Sequence, residues 1–172
     1  MIGDSGARRE FDTGAVRDIQ EGKGRCDLLP LSVVYVMCNR AASLVPQSGN
    51  VLAHIDMYQK YGEIGYLRQA IESFVSISNW DGLIDMFLDV SIHFEEGAVK
   101  YGEYNWQKGI PSHCYIDSAV RHYLKWLRGD DDEPHDRAFI WNILCCIWTC
   151  IHKPDLNDYP RKVEEVKEDD QN

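Results

Sequence analysis

The sequence predicts an all-α fold, a helical bundle in one domain. Apolar residues recur at three- and four-residue spacing over most of the 172 residues, as they do in amphipathic helices. The alternating pattern typical of strands is nearly absent, and no glycine-rich phosphate loop of the Walker or dinucleotide type occurs. The length suits one domain, since domains usually contain roughly 100–200 residues.

A polar segment precedes the first predicted helix. Residues 1–24 are rich in Gly, Arg, Asp and Glu, so this segment is expected to be flexible unless a ligand orders it. Helices are then predicted over about 31–44, 51–60 and 64–77, from their apolar spacing and from the glycine and proline residues between them.

The most regular pattern belongs to a helix that begins near residue 83. One face of it carries apolar residues at three- and four-residue spacing, namely Leu83, Ile84, Phe87, Leu88 and Ile92. Continued by one step, this face reaches Glu95. A carboxylate on a buried face costs free energy unless it is paired, hydrogen-bonded or bound to a metal. Glu95 is therefore the first candidate for chemistry.

Two more helices complete the bundle. One is predicted over about 113–128, with a clean apolar stripe, and it ends at Gly129. The acidic run at 130–133 then leads into the last helix, whose positive N-terminal end it suits.

These elements divide the chain into three predicted segments. The flexible N-terminal segment covers residues 1–24, and the helical domain covers residues 25–153 with an extra helical insert at about 40–80. Residues 154–172 are expected to form an acidic disordered tail.

Composition restricts the partners and the location. The net charge of −10 argues against a nucleic-acid polymer, whereas a small phosphorylated ligand can be held through divalent cations. No apolar run approaches the roughly 20 residues of a membrane-spanning helix, and the N-terminus has no signal-peptide core. A cytoplasmic protein is expected.

The six cysteines are expected to be free thiols, since no Cys-x-x-Cys unit occurs.

Acidic residues that border the predicted core suggest a metal site. They are Glu95, Glu96, Asp117, Asp132 and Glu133. In a helical bundle, carboxylates from facing helices converge on hard divalent cations, and a metal-bound water can attack phosphorus. Glu95 and Glu96 are candidate catalytic residues. His135 joins them, because it begins the last helix and shares a face with Asn142.

The substrate-binding candidates are basic, amide and aromatic side chains. Four basic residues are expected to bind the phosphate oxygens that a metal leaves uncompensated. They are Lys23, Arg25, Lys100 and Arg121. Asn105 and Asn142 carry the paired donor and acceptor needed to read a purine edge, and Trp106 offers a face for base stacking.

Each candidate also has a structural interpretation. Glu96 suits a solvated surface, and Asp117 with Arg121 suits an ordinary i,i+4 helix pair. The acidic run suits a helix start. His135 and Trp106 are also typical of residues that pack in a core. The residues alone leave these alternatives open.

Four short motifs, taken in order, resemble those of phage dATP/dGTP diphosphohydrolases. They read GRCDLLP at 24–30, EGAVKYG at 96–102 with NW at 105–106, YID at 115–117 with RH at 121–122, and EPH at 133–135 with WN at 141–142. The resemblance spans roughly residues 23–150, apart from extra helical material between about 31 and 84. This family is similar to the MazG-type all-α nucleotide pyrophosphohydrolases, so a MazG-like bundle is expected.

The resemblance implies cleavage of dATP or dGTP between the α- and β-phosphates, with Mg²⁺ or Mn²⁺ as cofactor. In phages that carry 2-aminoadenine, this activity would supply dGMP and remove dATP. MazG-like folds commonly build sites between subunits, so a homo-oligomer, a dimer or tetramer, is also expected.

MazG-type enzymes hold metal with a Glu-Glu-x-x-Glu helix and a later Glu-x-x-Asp helix. Glu95 and Glu96 match the first pair, but the third position is Val99. Glu133 and Asp136 match the second motif, so the resemblance adds Asp136 to the candidate metal ligands.

Two other functions compete with this interpretation. His122 and the adjacent His135 and Asp136 suggest a metal phosphohydrolase of the HD type, which would release nucleoside with triphosphate or inorganic phosphate. A helical binding module without catalysis would instead use Trp106 as an interface anchor and would show no metal dependence.

Overall fold

The computed structural model describes residues 8–18, 26, 29 and 48–160, and it confirms the all-α, MazG-like fold. Within these ranges a small hairpin, β1 (Arg8–Glu10) and β2 (Val16–Asp18), precedes five α-helices. These are α1 (Ser48–Tyr61), α2 (Ile64–Val75), α3 (Leu83–Tyr101), α4 (Ser112–Arg128) and α5 (His135–His152). The 3₁₀ turns Asn105–Lys108 and Pro154–Leu156 follow α3 and α5. None of the helices in the described ranges is long and apolar enough to cross a membrane.

Helix α5 forms the centre of the bundle, because α2, α3 and α4 all pack against it. The predicted stripe of α4 is buried, and Phe74 of α2 packs on Phe139 of α5 with ring centroids 4.7 Å apart. Burial of each such side chain stabilises the fold by about 1.5–3 kcal/mol. Helix α4 ends as predicted at Gly129, which has the left-handed φ of 83° that glycine adopts without strain.

Helices α1 and α2 confirm the two short helices predicted for the insert. They pack against each other, and α2 continues the contact onto α5. The helix predicted over about 31–44 lies outside the described residues. The five cysteines in the described ranges are free thiols, as expected.

Helix α3 buries a different face from the one that its sequence indicated. Ile84, predicted to be in the core, is 74% exposed, whereas Met86, Val90 and His93 are buried. Apolar residues occur on both sides of this helix, so its periodicity is compatible with two orientations, and packing against α5 selects one. The expectation that Glu95 lies on the buried face was wrong for the same reason, because its side chain is exposed.

Part of the N-terminal segment is folded, which corrects the expectation of flexibility for residues 8–18. The strands β1 and β2 pair in antiparallel fashion, and Ala15 between them is 2% exposed. The amide of Asn105 accepts a hydrogen bond from the backbone N–H of Val16 and donates one to its carbonyl, both at 3.1 Å. The remainder of the segment 1–24 lies outside the described residues.

The helical domain extends beyond residue 153 to at least Pro160, which corrects the predicted start of the tail. Tyr159 is 6% exposed and packs against Tyr58 with ring centroids 5.3 Å apart. The carboxylate of Asp158 accepts hydrogen bonds from the hydroxyl of Ser112 and the backbone N–H of His113 at the start of α4. The segment 154–160 packs on the helical domain because Tyr159 buries an aromatic ring and Asp158 caps the start of α4. Residues 161–172 lie outside the described ranges.

Candidate functional site

A cavity of about 540 Å³ opens between the hairpin, α3, α4 and α5. Polar and aromatic side chains from all four elements line it. They include Arg17, His93, Asn105, Trp106, Asp117, Arg121, His122, Lys125, Asp132, Glu133, Trp141 and Asn142. Its volume falls within the range of roughly 300–1,000 Å³ that is usual for small-molecule sites.

Arg17 of β2 reaches into this cavity from the hairpin. Its guanidinium donates hydrogen bonds to the carbonyl of Cys114, at 3.1 Å, and to the Oδ1 of Asn142. It also lies over the ring of Tyr115, 5.6 Å from the centroid. A guanidinium has five N–H donors, so these contacts fix its position and leave capacity for a further acceptor. The sequence does not predict Arg17 as a site residue, because nothing in a short polar segment indicates a partner so far along the chain.

Asp117 and Arg121 lie beside each other on the α4 wall of the cavity. The guanidinium of Arg121 donates to the Oδ2 of Asp117, which is 1% exposed. The Oδ1 of Asp117 accepts the backbone N–H of Cys26 at 2.5 Å. Asp117 therefore orients Arg121 and also holds the chain at Cys26 close to the cavity.

Two buried polar atoms in the cavity wall have no hydrogen-bond partner among the described residues. They are the Nδ1 of His93 and the Nε1 of Trp141. Burial lowers the pKa of His93 to about 4, so its imidazole is neutral at neutral pH. An unsatisfied buried polar group costs about 1–3 kcal/mol, a cost that a ligand in the cavity would relieve.

Two histidines meet at the end of the cavity where α4 faces the start of α5. The Nδ1 atoms of His122 and His135 lie 3.0 Å apart, and the Oε1 of Glu133 lies 3.5 Å from the first and 3.6 Å from the second. Burial and the neighbouring His135 hold the pKa of His122 well below its usual range. His135 Nε2 lies 2.9 Å from Asp132 Oδ1, and the Nζ of Lys125 donates to Asp132 Oδ2 at 3.0 Å.

The structure brings seven of the sequence-predicted site residues to the walls of this cavity. They are Asn105, Trp106, Asp117, Arg121, Asp132, Glu133 and Asn142. The amide groups of Asn105 and Asn142 already bind protein atoms, since Asn142 accepts from Arg17 and donates to the carbonyl of Ala138 at 2.7 Å. His135 lies directly behind the wall, in contact with His122.

Other predicted site residues are not in the lining of this cavity. Glu95 lines a second, smaller cavity of about 390 Å³ between α3, the first 3₁₀ turn and Trp141. The Nζ of Lys100 donates to Asp18 at 2.9 Å, and Glu96 is half-buried on α3. Asp136 accepts the backbone N–H of its neighbour Arg137 at 2.7 Å. Lys23 and Arg25 lie outside the described residues.

His93, Lys125 and Trp141, like Arg17, line the cavity but are not predicted from the sequence as site residues. Their helical spacing is that of ordinary core or surface positions, so periodicity gives no reason to select them. His122 was noted through the HD-type alternative, and its approach to His135 depends on how α4 and α5 pack.

The all-α, MazG-like domain carries a cavity lined by cationic and carboxylate side chains, an arrangement that suits a helical nucleotide hydrolase. Residues 83–159 match the family model described as dATP/dGTP diphosphohydrolase, N-terminal. This match confirms, over these residues, the predicted resemblance to the dATP/dGTP diphosphohydrolase family. The matched residues contain α3, α4 and α5 and end at the buried Tyr159. No curated protein and no solved structure is significantly similar to the chain.

Proposed function

We propose that the enzyme cleaves dATP and dGTP between the α- and β-phosphates in the cavity behind the hairpin, with a divalent cation, Mg²⁺ or Mn²⁺. The observation that carries this proposal is the arrangement of charge. Arg17 and Arg121 line the cavity together with Lys125, and the carboxylates of Asp132 and Glu133 lie at the same end as Lys125. Cations bind phosphate oxygens, and carboxylates bind the metal that accompanies them.

The phosphate chain would lie along the α4 wall. The Arg121 guanidinium is oriented by a buried carboxylate, and Arg17 is fixed by a backbone carbonyl and an amide oxygen. Such fixed donors bind charged oxygens with little loss of side-chain freedom. The hairpin therefore contributes directly to substrate binding.

The described residues fit a divalent cation at the Asp132 and Glu133 end of the cavity. Within the described ranges, clusters of at least three metal-type ligand atoms occur there and not around Glu95 or Asp136. A cation bound there would withdraw charge from the phosphates and activate a water molecule. Glu95, Glu96 and Asp117 remain predicted ligands for an assembled or substrate-bound form.

The base would lie against the aromatic end of the cavity. Trp141 Nε1 can donate to a purine nitrogen or oxygen, and the neutral imidazole of His93 offers a second group. Trp106 lines the same end and supplies apolar surface. Asn105 and Asn142, whose amides bind the hairpin, would act by holding Arg17 and β2 in place.

The substrate site is expected to belong to a homo-oligomer. Five large apolar side chains of α3 are exposed on one face, namely Leu83, Ile84, Phe87, Leu88 and Ile92. A contiguous exposed apolar face is typical of an interface between subunits, and Glu95 continues this face. Assembly through α3 would bring Glu95 to the boundary between two subunits. We place the enzyme in the cytoplasm of a phage-infected cell, in nucleotide metabolism.

Product analysis tests the proposed reaction. The protein is incubated with each of the four dNTPs and Mg²⁺ or Mn²⁺, and the products are separated by ion-exchange chromatography. The expected products from dATP and dGTP are the monophosphate and pyrophosphate. Nucleoside with triphosphate would instead support the HD-type reaction that the contact between His122 and His135 suggests. Absence of turnover with every metal would support a binding module.

A further inference from the structure

We propose that His122, His135 and Glu133 form a binding site for a first-row transition-metal ion such as Zn²⁺, Co²⁺ or Mn²⁺, in preference to Mg²⁺. The role of this ion in catalysis rests on the proposed function, but its binding does not. Two imidazoles and one carboxylate favour such ions, whereas Mg²⁺ prefers oxygen ligands and keeps several water molecules.

The three ligand atoms have the spacing that a single ion requires. The two imidazole Nδ1 atoms lie 3.0 Å apart, and Glu133 Oε1 lies 3.5 Å and 3.6 Å from them. Two ligands that each lie ~2.1 Å from an ion are about 3.0 Å apart at a right angle and about 3.4 Å apart in a tetrahedron. One ion therefore fits among these atoms with little movement of the side chains.

The surroundings of His135 orient its ring for this role. Asp132 Oδ1 lies 2.9 Å from His135 Nε2, so the carboxylate favours a proton on that nitrogen and leaves a lone pair on Nδ1. Lys125 donates to the other oxygen of Asp132 at 3.0 Å and holds the carboxylate in place. A carboxylate behind a ligating histidine is a common arrangement around protein metal sites.

The site is enclosed on the protein side and open toward the substrate. His135 is 2% exposed, whereas His122 and Glu133 line the cavity. Open coordination positions would therefore face the region where Arg17 and Arg121 lie. This arrangement is that of a catalytic metal site, which keeps a position for water or substrate.

A direct hydrogen bond between the two imidazoles would explain the 3.0 Å contact without an ion, so the test measures metal binding itself. Protein without a polyhistidine tag is stripped with a chelator and dialysed. Co²⁺ is then added, and its visible absorption is followed without nucleotide. Calorimetry compares Zn²⁺ and Mn²⁺ with Mg²⁺.

We expect one equivalent of Co²⁺ to bind with visible absorption bands, and Mg²⁺ to bind more weakly than Zn²⁺ and Mn²⁺. His122→Gln should weaken Co²⁺ binding by ~10-fold or more. Glu133→Gln, at a partly exposed position before α5, should weaken Co²⁺ binding as well and leave the fold intact, which circular dichroism checks. The control is His152→Gln, an exposed imidazole at the end of α5, which should bind as the wild type does.

Wild-type protein that binds no Co²⁺, or folded His122→Gln protein that binds it like the wild type, would overturn the site. Metal binding without hydrolysis of any dNTP would leave the site standing and overturn the proposed function. Hydrolysis with Mg²⁺ by a chelator-stripped protein that binds no transition metal would overturn the site and leave the proposed function standing.

Discussion

Asn105 binds the backbone of Val16 through both atoms of its amide, as a neighbouring strand would. Each of the two hydrogen bonds is 3.1 Å long, and they join residues 89 positions apart in the chain. The pairing attaches the hairpin to the turn after α3. It also places Arg17, the next residue, inside the cavity.

The variant Asn105→Ala should therefore weaken substrate binding without a direct loss of a substrate contact. We expect KM for dGTP to rise roughly 10-fold with a smaller change in kcat, because Arg17 loses its support. Arg17→Ala should raise KM similarly. The double variant should raise it little further, since both changes remove the same interaction of Arg17 with the substrate. Steady-state kinetics measures all three. Asn50→Ala, on the exposed side of α1, is the control. Fully additive effects of the two changes on KM would show that Asn105 does not act through Arg17.

Trp141→Phe tests the unpartnered indole N–H in the cavity. The change keeps an aromatic ring but removes the donor, so binding of a purine triphosphate should weaken about 5-fold, which corresponds to ~1 kcal/mol. The cleaved bond should stay the same. Trp126→Phe removes an indole that packs on Phe74 and Tyr123 outside the cavity, and it should leave KM unchanged. Equal KM values for Trp141→Phe and the wild type would show that this N–H does not bind the base.

The ion pair between His113 and Asp158 should make stability depend on pH. The hydrogen bond that His113 donates to the Asp158 carboxylate, with a smaller contribution from the hydrogen bond with Cys114, raises the pKa of His113 to about 9 from its ordinary 6.5. Because the folded state holds this proton more tightly, the stabilisation is complete below pH 6.5 and is lost as the pH rises to about 9. We expect a decrease of roughly 1 kcal/mol in the free energy of unfolding, since solvent screens this half-buried pair.

Urea denaturation at pH 6 and pH 9 measures this decrease. Asp158→Asn should remove most of the pH dependence, because the imidazole loses its charged partner. Asp155→Asn, which changes an exposed neighbouring carboxylate, should leave the pH dependence unchanged. The same decrease in Asp158→Asn as in the wild type would mean that another group titrates.

The exposed face of α3 should govern assembly. Ile84→Ser with Leu88→Ser should shift the protein to a monomer in light scattering. The free energy of unfolding of the monomer should change by less than ~0.5 kcal/mol, because these side chains are 74% and 68% exposed. Arg68→Ser with Gln69→Ser, on the exposed side of α2, is the control. An unchanged mass for the α3 variant would show that the interface lies elsewhere.

Glu95→Gln tests whether this carboxylate completes a site at the subunit boundary. We expect hydrolysis to be abolished with the fold intact, since the change removes a metal-binding charge and keeps the size of the side chain. Turnover at saturating metal and circular dichroism are the measurements. Glu103→Gln, another exposed carboxylate near the second cavity, should keep its activity. Near-normal turnover of Glu95→Gln would remove Glu95 from the site.

The sequence by itself determined the fold class, the helices of the insert, the helices α4 and α5, and the resemblance to the family. These features depend on local information. Helical periodicity, a glycine at the end of α4 and short motifs in order are each visible within a few residues.

Only the tertiary structure decided which face of α3 is buried and which polar residues meet. The apolar residues of α3 permit two orientations, and contact with α5 selects the one that buries His93 and exposes Ile84. The hairpin is held by a side chain far away in the sequence, and His122 approaches His135 because two helices pack together. Such long-range contacts depend on the free energy of the whole packed core, which no local pattern encodes.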